Sequence, residues 1–147
     1  MRIHINGNDL YAEHTRRFTH FFAKKFFTPE RNKELSLKIN FRPIRESDDI
    51  ADCMWDNEDS NPPSAYTINF FLPEDTNELW YLRCLAHELT HLKQYALGEL
   101  RYLISTNNEW VKFCGKRYFF DMYYWDRPWE IEAHGREKGL MVEYKAL

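Results

Sequence analysis

Two histidines stand four residues apart, at positions 87 and 91, in a segment whose apolar residues recur every three or four positions. Such a repeat predicts a helix with one buried stripe, formed here by Leu79, Leu82, Leu85, Ala86, Leu89, Leu92 and Ala96. We expect Asp75 or Thr76 to cap the start of this helix and Gly98 to end it. Because residues four apart share a helix face, His87 and His91 are predicted to lie together at the border of the core.

The residues between the histidines complete the pattern His87-Glu88-Leu89-Thr90-His91. Two imidazole nitrogens one helical turn apart can bind one Zn²⁺ ion, and the Glu88 carboxylate falls beside them. From there it can take a proton from a water molecule that the ion acidifies and pass it to a leaving amine. The pattern therefore predicts a hydrolytic centre that still lacks one protein ligand.

The missing ligand is expected downstream, because a tetrahedral catalytic zinc usually has three protein ligands and one water. Segment 128–138 is the best candidate, since Pro128 and the acidic residues after it are typical of the first turn of a helix. In that helix Glu130 and His134 share a face, whereas Glu132 points away from them. From the residues alone all three side chains remain candidate ligands, as does a helix that only forms salt bridges.

With these two segments the chain resembles the gluzincin metallopeptidases, the group that includes thermolysin and the small single-domain minigluzincins. The shared features are His-Glu-x-x-His and a later helix with Glu-x-x-Ala. The segment Pro-Trp-Glu-Ile-Glu-Ala is also similar to short predicted metallopeptidases of bacteria and their phages. The resemblance implies Zn²⁺ as the cofactor, with His87, His91 and Glu130 as its ligands and Glu88 as the catalytic base. It covers only the two motif segments, and therefore a catalytic core.

His134 departs from the family pattern. Four residues after the ligand glutamate, gluzincins commonly have an Asp or Asn that supports a metal histidine, and this chain has His134 there. A histidine can support a ligand by hydrogen bonding, but it brings no fixed negative charge. It could instead bind the metal itself.

Alternation of apolar and polar residues predicts three strands before the metal helix, at residues 2–6, 35–42 and 66–72. Between the first two strands we expect a helix that is capped by Asn8 or Asp9 and ends near Phe27. This helix would cover the sheet with four phenylalanines, namely Phe18, Phe21, Phe22 and Phe26.

Two further segments carry turn and loop signals. Residues 46–64 are rich in acidic side chains and end in Asn61-Pro62-Pro63-Ser64, which predicts a loop. If a neighbouring strand is the sheet edge beside the cleft, extended substrate can pair with it through backbone hydrogen bonds. Residues 110–113 and 117–120 flank Cys114-Gly115-Lys116 and predict a short hairpin.

This order of elements predicts an α+β fold in a single domain, residues 1–147. The expected architecture is a zincin-like metalloprotease lobe, with a twisted, mostly antiparallel sheet behind the metal-binding helix and a second helix that carries the third ligand. The length suffices to bury a core, and neither a long polar linker nor a repeat divides the chain.

Charge and cysteine content limit the classes of binding partner and the cellular compartment that we expect for this chain. A formal net charge of −3, without a concentrated basic run, disfavours nucleic acid as a partner. The three cysteines form no Cys-x-x-Cys pair, which indicates a reducing compartment. Because no apolar leader and no long uncharged apolar stretch is present, we expect a cytoplasmic protein that does not enter membranes.

Together these patterns predict an enzyme, a zinc metallopeptidase that hydrolyses peptide bonds in a peptide or protein substrate. An amidase acting on another acyl substrate would use the same centre. The alternative from a different class is a non-catalytic module stabilised by metal, or a phage-type accessory factor that acts through protein contacts. A structural zinc would need a fourth protein ligand, such as His134 or Cys53, in place of water.

Overall fold

The computed structural model describes residues 1–7, 11–44, 50–56, 62–73, 75–105 and 108–147. The strands are β1 (Arg2–Asn6), β2 (Ser36–Phe41), β3 (Ala51–Trp55), β4 (Ala65–Phe70), β5 (Leu100–Ser105), β6 (Asn108–Phe113) and β7 (Lys116–Phe119). The helices are α1 (Ala12–Phe26), α2 (Pro29–Glu34), α3 (Glu78–Ala96) and α4 (Pro128–Lys145), with a short 3₁₀ helix at Tyr124–Asp126. The chain thus combines helices and strands, which confirms a mixed α+β fold.

The described strands form two sheets of different character. The main sheet has the order β1-β2-β4-β3, in which β1, β2 and β4 are parallel and only β3 runs antiparallel. The expectation of a mostly antiparallel sheet behind the metal helix is therefore wrong, because α1 and α2 carry the chain back so that β2 starts at the same end as β1. The smaller sheet, β5-β6-β7, is antiparallel throughout.

Strand β3 lies where the acidic composition predicted a loop. Its residues Ala51, Cys53 and Trp55 pack against the core, whereas Met54 is exposed. This alternation is only five residues long and lies within an acidic segment, so pairing with β4 rather than local sequence decides the conformation. The parts of the predicted loop at 45–49 and 57–61 lie outside the described residues.

The two faces of the main sheet differ in chemistry. One face packs apolar side chains into the core, including Leu37, Ile39, Tyr66, Ile68 and Phe70. On the other face an amide row crosses all four strands in register. Asn6 Nδ2 donates to Asn40 Oδ1 at 2.9 Å, Asn40 Nδ2 to Asn69 Oδ1 at 3.0 Å, and Asn69 Nδ2 to Asp52 Oδ1 at 2.8 Å.

Helix α3 runs through the centre of the core and is buried along nearly all of its last four turns. The side chain of Asn77 caps it by accepting hydrogen bonds from the N–H groups of Leu79 and Trp80, so the predicted cap at Asp75 or Thr76 is wrong by one or two positions. Gly98, with φ of +70°, ends the helix as expected.

Helix α1 packs against α3 and α4 within the same hydrophobic cluster as the sheet. Phe18 and Phe22 are fully buried, and Phe21 and Phe26 are partly buried. The predicted caps Asn8 and Asp9 lie outside the described residues. Along the described part of the chain, no helix combines the length and hydrophobicity needed to cross a bilayer.

The predicted hairpin is confirmed as β6 and β7, joined at Cys114 and Gly115. Both turn residues have positive φ, 47° and 86°, which is the two-residue turn that suits the twist of paired strands. The hairpin matters for the site because Phe113 and Tyr118 pack their rings against the buried Trp129 at the start of α4.

Burial along α3 predicts a contrast between two leucines. Leu85 is fully buried, whereas Leu79, which the periodicity placed in the buried stripe, is 48% exposed in the first turn. We expect Leu85→Ala to lower the free energy of unfolding by about 2–5 kcal/mol and Leu79→Ala to lower it by no more than about 1 kcal/mol. Urea unfolding followed by circular dichroism measures both, and equal losses would contradict the packing described here.

Candidate metal centre

Helices α3 and α4 bring three side chains to one point. His87 and His91 come from successive turns of α3, and Glu130 comes from the first turn of α4. The two Nε2 atoms lie 3.1 Å apart, and each lies 3.3 Å from Glu130 Oε2. All three side chains are buried. The structure therefore places together the three residues that the family resemblance implies as ligands.

This triangle of atoms can hold a metal ion. An ion at about 2.0–2.2 Å from imidazole and carboxylate donors, in tetrahedral directions, puts the donor atoms about 3.3–3.6 Å from one another. The observed separations of 3.1–3.3 Å lie at the lower end of that spacing. Within the described residues no fourth His, Cys, Asp or Glu joins the group, so neither His134 nor Cys53 completes a four-ligand set.

The charges at this point favour a shared cation. Burial alone would raise the pKa of Glu130, but hydrogen bonds with His87 and His91 outweigh it and hold that pKa well below its ordinary value. Burial likewise opposes charge on His91, yet its contacts with Glu130 and the nearby Glu88 raise its pKa to about 9. Positive charge is thus stabilised where the two imidazoles and the carboxylate meet.

Trp129 explains why Glu130 reaches the cluster. Pro128 starts α4, and the next residue, Trp129, is buried against the β6–β7 hairpin. Because the tryptophan sets the rotation of the first turn, the following side chain is turned toward α3. Glu132, two positions later, does not join the cluster, in agreement with the helix geometry, and pairs with Lys93 of α3 and with Arg136.

Glu137 holds the outer nitrogen of His87. His87 Nδ1 donates to Glu137 Oε1 at 3.0 Å, and His134 Nδ1 donates to the same oxygen at 2.8 Å. Arg83 pairs with the other carboxylate oxygen. His87, His134 and Glu137 also form a group that could hold a metal ion, but these two contacts have hydrogen-bond lengths and point away from the Nε2 cluster. The support expected at His134 thus comes from Glu137, one turn further along α4.

His134 lies at the edge of the cluster. Its Nε2 is 3.2 Å from the Tyr124 hydroxyl, which donates to Glu130 Oε2 at 2.8 Å. Its ring packs against the rings of Trp125 and His87. His134 therefore connects Glu137 to the 3₁₀ helix.

Gln94 supports the other histidine, since His91 Nδ1 donates to Gln94 Oε1 at 2.9 Å. Neither Gln94 nor Glu137 was assigned a role from the sequence. The available signal was helical spacing, because Gln94 is three residues after His91 and Glu137 is seven after Glu130. Spacing alone does not show which neighbours meet across two helices.

A cleft of 1030 Å³ borders the cluster, and His87 is the one of its three side chains that lines it. Its walls are formed by Ile50, Ala51, Trp80, Arg83, Cys84, His87, Glu88, Tyr124, Trp125, His134 and Glu137. Glu88 is buried, and burial raises the pKa of its carboxyl, although the positive charge of His91 and His87 opposes the rise. Among the polar residues nearby, Tyr123 is largely exposed, and Arg127 donates to the carbonyl oxygens of Met122 and Phe120.

No family model, curated protein or solved structure matches the chain. The class of site is therefore defined by its own geometry, a buried cluster of two histidines and one glutamate that can hold a metal ion beside a cleft.

The cluster predicts one bound metal ion per chain. After purification without a metal-binding tag, we expect elemental analysis to find about one equivalent in the wild-type chain and clear loss in Glu130→Ala, because two histidines alone leave the ion mostly hydrated. Glu143→Gln, on the exposed part of the same helix, is the matched control and should retain the metal. Absence of metal in the wild-type chain, even after zinc is offered, would contradict the site.

The contact between Glu137 and His87 predicts a weaker effect from a residue outside the cluster. We expect Glu137→Gln to lower metal affinity about 10- to 100-fold, because the amide no longer fixes the His87 ring with a negative charge. Titration against a chromophoric chelator measures the loss. If Glu137→Gln bound metal as tightly as Glu143→Gln, this role would be wrong.

Proposed function

We propose that the chain is a zinc-dependent metallopeptidase of the gluzincin type, in which His87, His91 and Glu130 hold the ion and Glu88 is the general base. The observation that carries the proposal is the triangle of His87 Nε2, His91 Nε2 and Glu130 Oε2, with sides of 3.1, 3.3 and 3.3 Å, beside a cleft. Two nitrogens and one oxygen suit Zn²⁺. Three protein ligands are typical of a catalytic rather than a structural zinc site.

When bound, Zn²⁺ supplies Lewis-acid activation of water and of the substrate carbonyl. The residues of the chain handle the proton. Glu88 lines the cleft next to His87, where its carboxylate can accept a proton from the attacking water and hand it to the leaving amine. Because burial raises the pKa of Glu88, this group releases the proton less readily than an exposed glutamate and is better matched to transfer near neutral pH.

The Tyr124 hydroxyl is the donor that we assign to the negative charge developing on the carbonyl oxygen. It lines the cleft and already reaches the cluster, 2.8 Å from Glu130 Oε2. Burial and the charge of Glu130 raise the pKa of Tyr124, so its hydroxyl stays protonated and able to donate. A substrate oxygen at the cluster would compete with Glu130 for this hydrogen bond.

Strand β3 supports a peptide as the substrate. Its pairing with β4 directs the backbone groups of Asp52 and Met54 toward β4 and leaves those of Ala51, Cys53 and Trp55 on the outer edge. Within the described residues no other strand pairs with this edge. Because Ala51 lines the cleft, an extended peptide bonded to the edge would pass Glu88. An acyl substrate without a peptide backbone would not use these groups.

A substitution at Glu88 distinguishes catalysis from metal binding. We expect Glu88→Gln to lower kcat by about 10²- to 10⁴-fold while bound zinc stays at the wild-type level, because the amide cannot accept the proton and Glu88 is not a ligand. Cleavage of a quenched fluorescent peptide library, with elemental analysis of the same samples, measures both quantities. Glu34→Gln, at an exposed ion pair, is the matched control.

Two outcomes would contradict the proposal. Equal turnover by Glu88→Gln and Glu34→Gln would show that Glu88 is not the general base. A zinc-loaded wild-type chain that cleaves no member of the library would favour the non-catalytic, metal-stabilised module.

A further inference from the structure

The amide of Gln94 stands between the metal cluster and a group of charges on its far side. The side chain is fully buried on α3, three residues after His91. Its Oε1 lies 2.9 Å from His91 Nδ1. Its Nε2 lies 2.9 Å from the carbonyl oxygen of Trp129 and 3.0 Å from Glu132 Oε2. Both polar atoms of the amide thus have partners.

These partners dictate which way the amide points. A backbone carbonyl and a carboxylate can only accept hydrogen bonds, so Trp129 and Glu132 both require the NH₂ group of Gln94 on their side. The amide oxygen is thereby turned to His91, and an acceptor there requires the imidazole proton on Nδ1. In the neutral ring that a metal ion requires, the lone pair is then on the Nε2 atom of His91, and this is the atom that faces His87 and Glu130.

Glu132 is itself held from two sides. Its Oε1 accepts from Lys93 Nζ and from Arg136 Nε, each at 2.7 Å. Lys93 is buried and also pairs with Glu99 Oε2 at 2.7 Å, which ties the group to the chain just before β5. With Oε1 engaged by two cations, Oε2 is left directed at Gln94.

We propose that Glu132 is a positioning residue, which acts through Gln94 to select the Nδ1–H tautomer of His91 and so presents its Nε2 lone pair to the metal ion. The inference rests on the metal-dependent function proposed above and extends it to a residue that does not touch the metal. Loss of an outer partner of a metal ligand typically lowers metal affinity about 10- to 100-fold.

The test compares Glu132→Gln with Glu143→Gln, the same substitution about three turns further along α4, where Glu143 forms an exposed ion pair with Lys25. The zinc Kd of each variant is measured by competition with a chromophoric chelator. The tautomer of the neutral His91 ring in the metal-free protein is read from the ¹⁵N NMR shifts of its ring nitrogens, at a pH above the raised pKa of His91. We expect Glu132→Gln to raise the Kd about tenfold and to populate the Nε2–H tautomer, whereas Glu143→Gln leaves both unchanged.

An exchange variant covers the case in which removal of the carboxylate disturbs packing. Gln94→Glu combined with Glu132→Gln keeps an acceptor oxygen facing His91 and retains a donor and an acceptor between the two exchanged side chains, and it gives up only the hydrogen bond to the Trp129 carbonyl. We expect this double variant to restore the Nδ1–H tautomer that the single Glu132→Gln variant loses.

Wild-type affinity in Glu132→Gln would overturn the proposal. Weaker affinity with His91 still entirely in the Nδ1–H form would also overturn it, because such a result shows a role in stability alone. A wild-type chain that binds no metal would instead overturn the proposed function. The tautomer comparison is made without metal, so it would still decide the role of Glu132.

Discussion

The packing of α3 against α4 is the constraint on which the site depends. Neither helix carries a complete set of donors, and the cluster exists only because His87 and His91 on one helix face Glu130 on the other. Placing a carboxylate and two imidazoles together in a buried position is unfavourable unless positive charge is shared among them. A bound cation would therefore stabilise the contact between the helices, and the packing of Trp129 that orients α4 would in turn stabilise the bound cation.

Much of the local structure could be predicted because it depends on short-range rules. The spacing of apolar residues indicated α3 and the position of its histidines, and Gly98 marked the end of this helix. The alternation in β1, β2 and β4 was similarly clear, as was the turn at Cys114 and Gly115. The different directions of Glu130 and Glu132 also followed from the geometry of a single helix, because residues two positions apart are rotated by about 200° around its axis.

The remaining features depend on contacts between distant segments. The direction of β2 relative to β1 is set by the connection through α1 and α2, which alternation alone does not reveal. Strand β3 was missed because Asp52 and the acidic residues around it are untypical of a strand, and its pairing with β4 overrides that preference. Glu137 and Gln94 were not assigned roles because their partners become neighbours only when α3 and α4 pack. His134, which the family pattern placed at the position that supports a metal histidine, borders the cluster and is not one of its three side chains.

The amide row on the outer face of the main sheet has a direction. Each asparagine gives its NH₂ group to the next strand, and the row ends at Asp52, whose carboxylate accepts the last of these hydrogen bonds. Asp52, the acceptor-only group at the end of the row, thus orients three amide dipoles across the sheet, and aligned hydrogen bonds of this kind polarise and strengthen one another. A slip of β3 by one residue would turn Asp52 to the apolar face and leave the row without its terminal acceptor. The row therefore fixes the register of β3, the strand that borders the cleft.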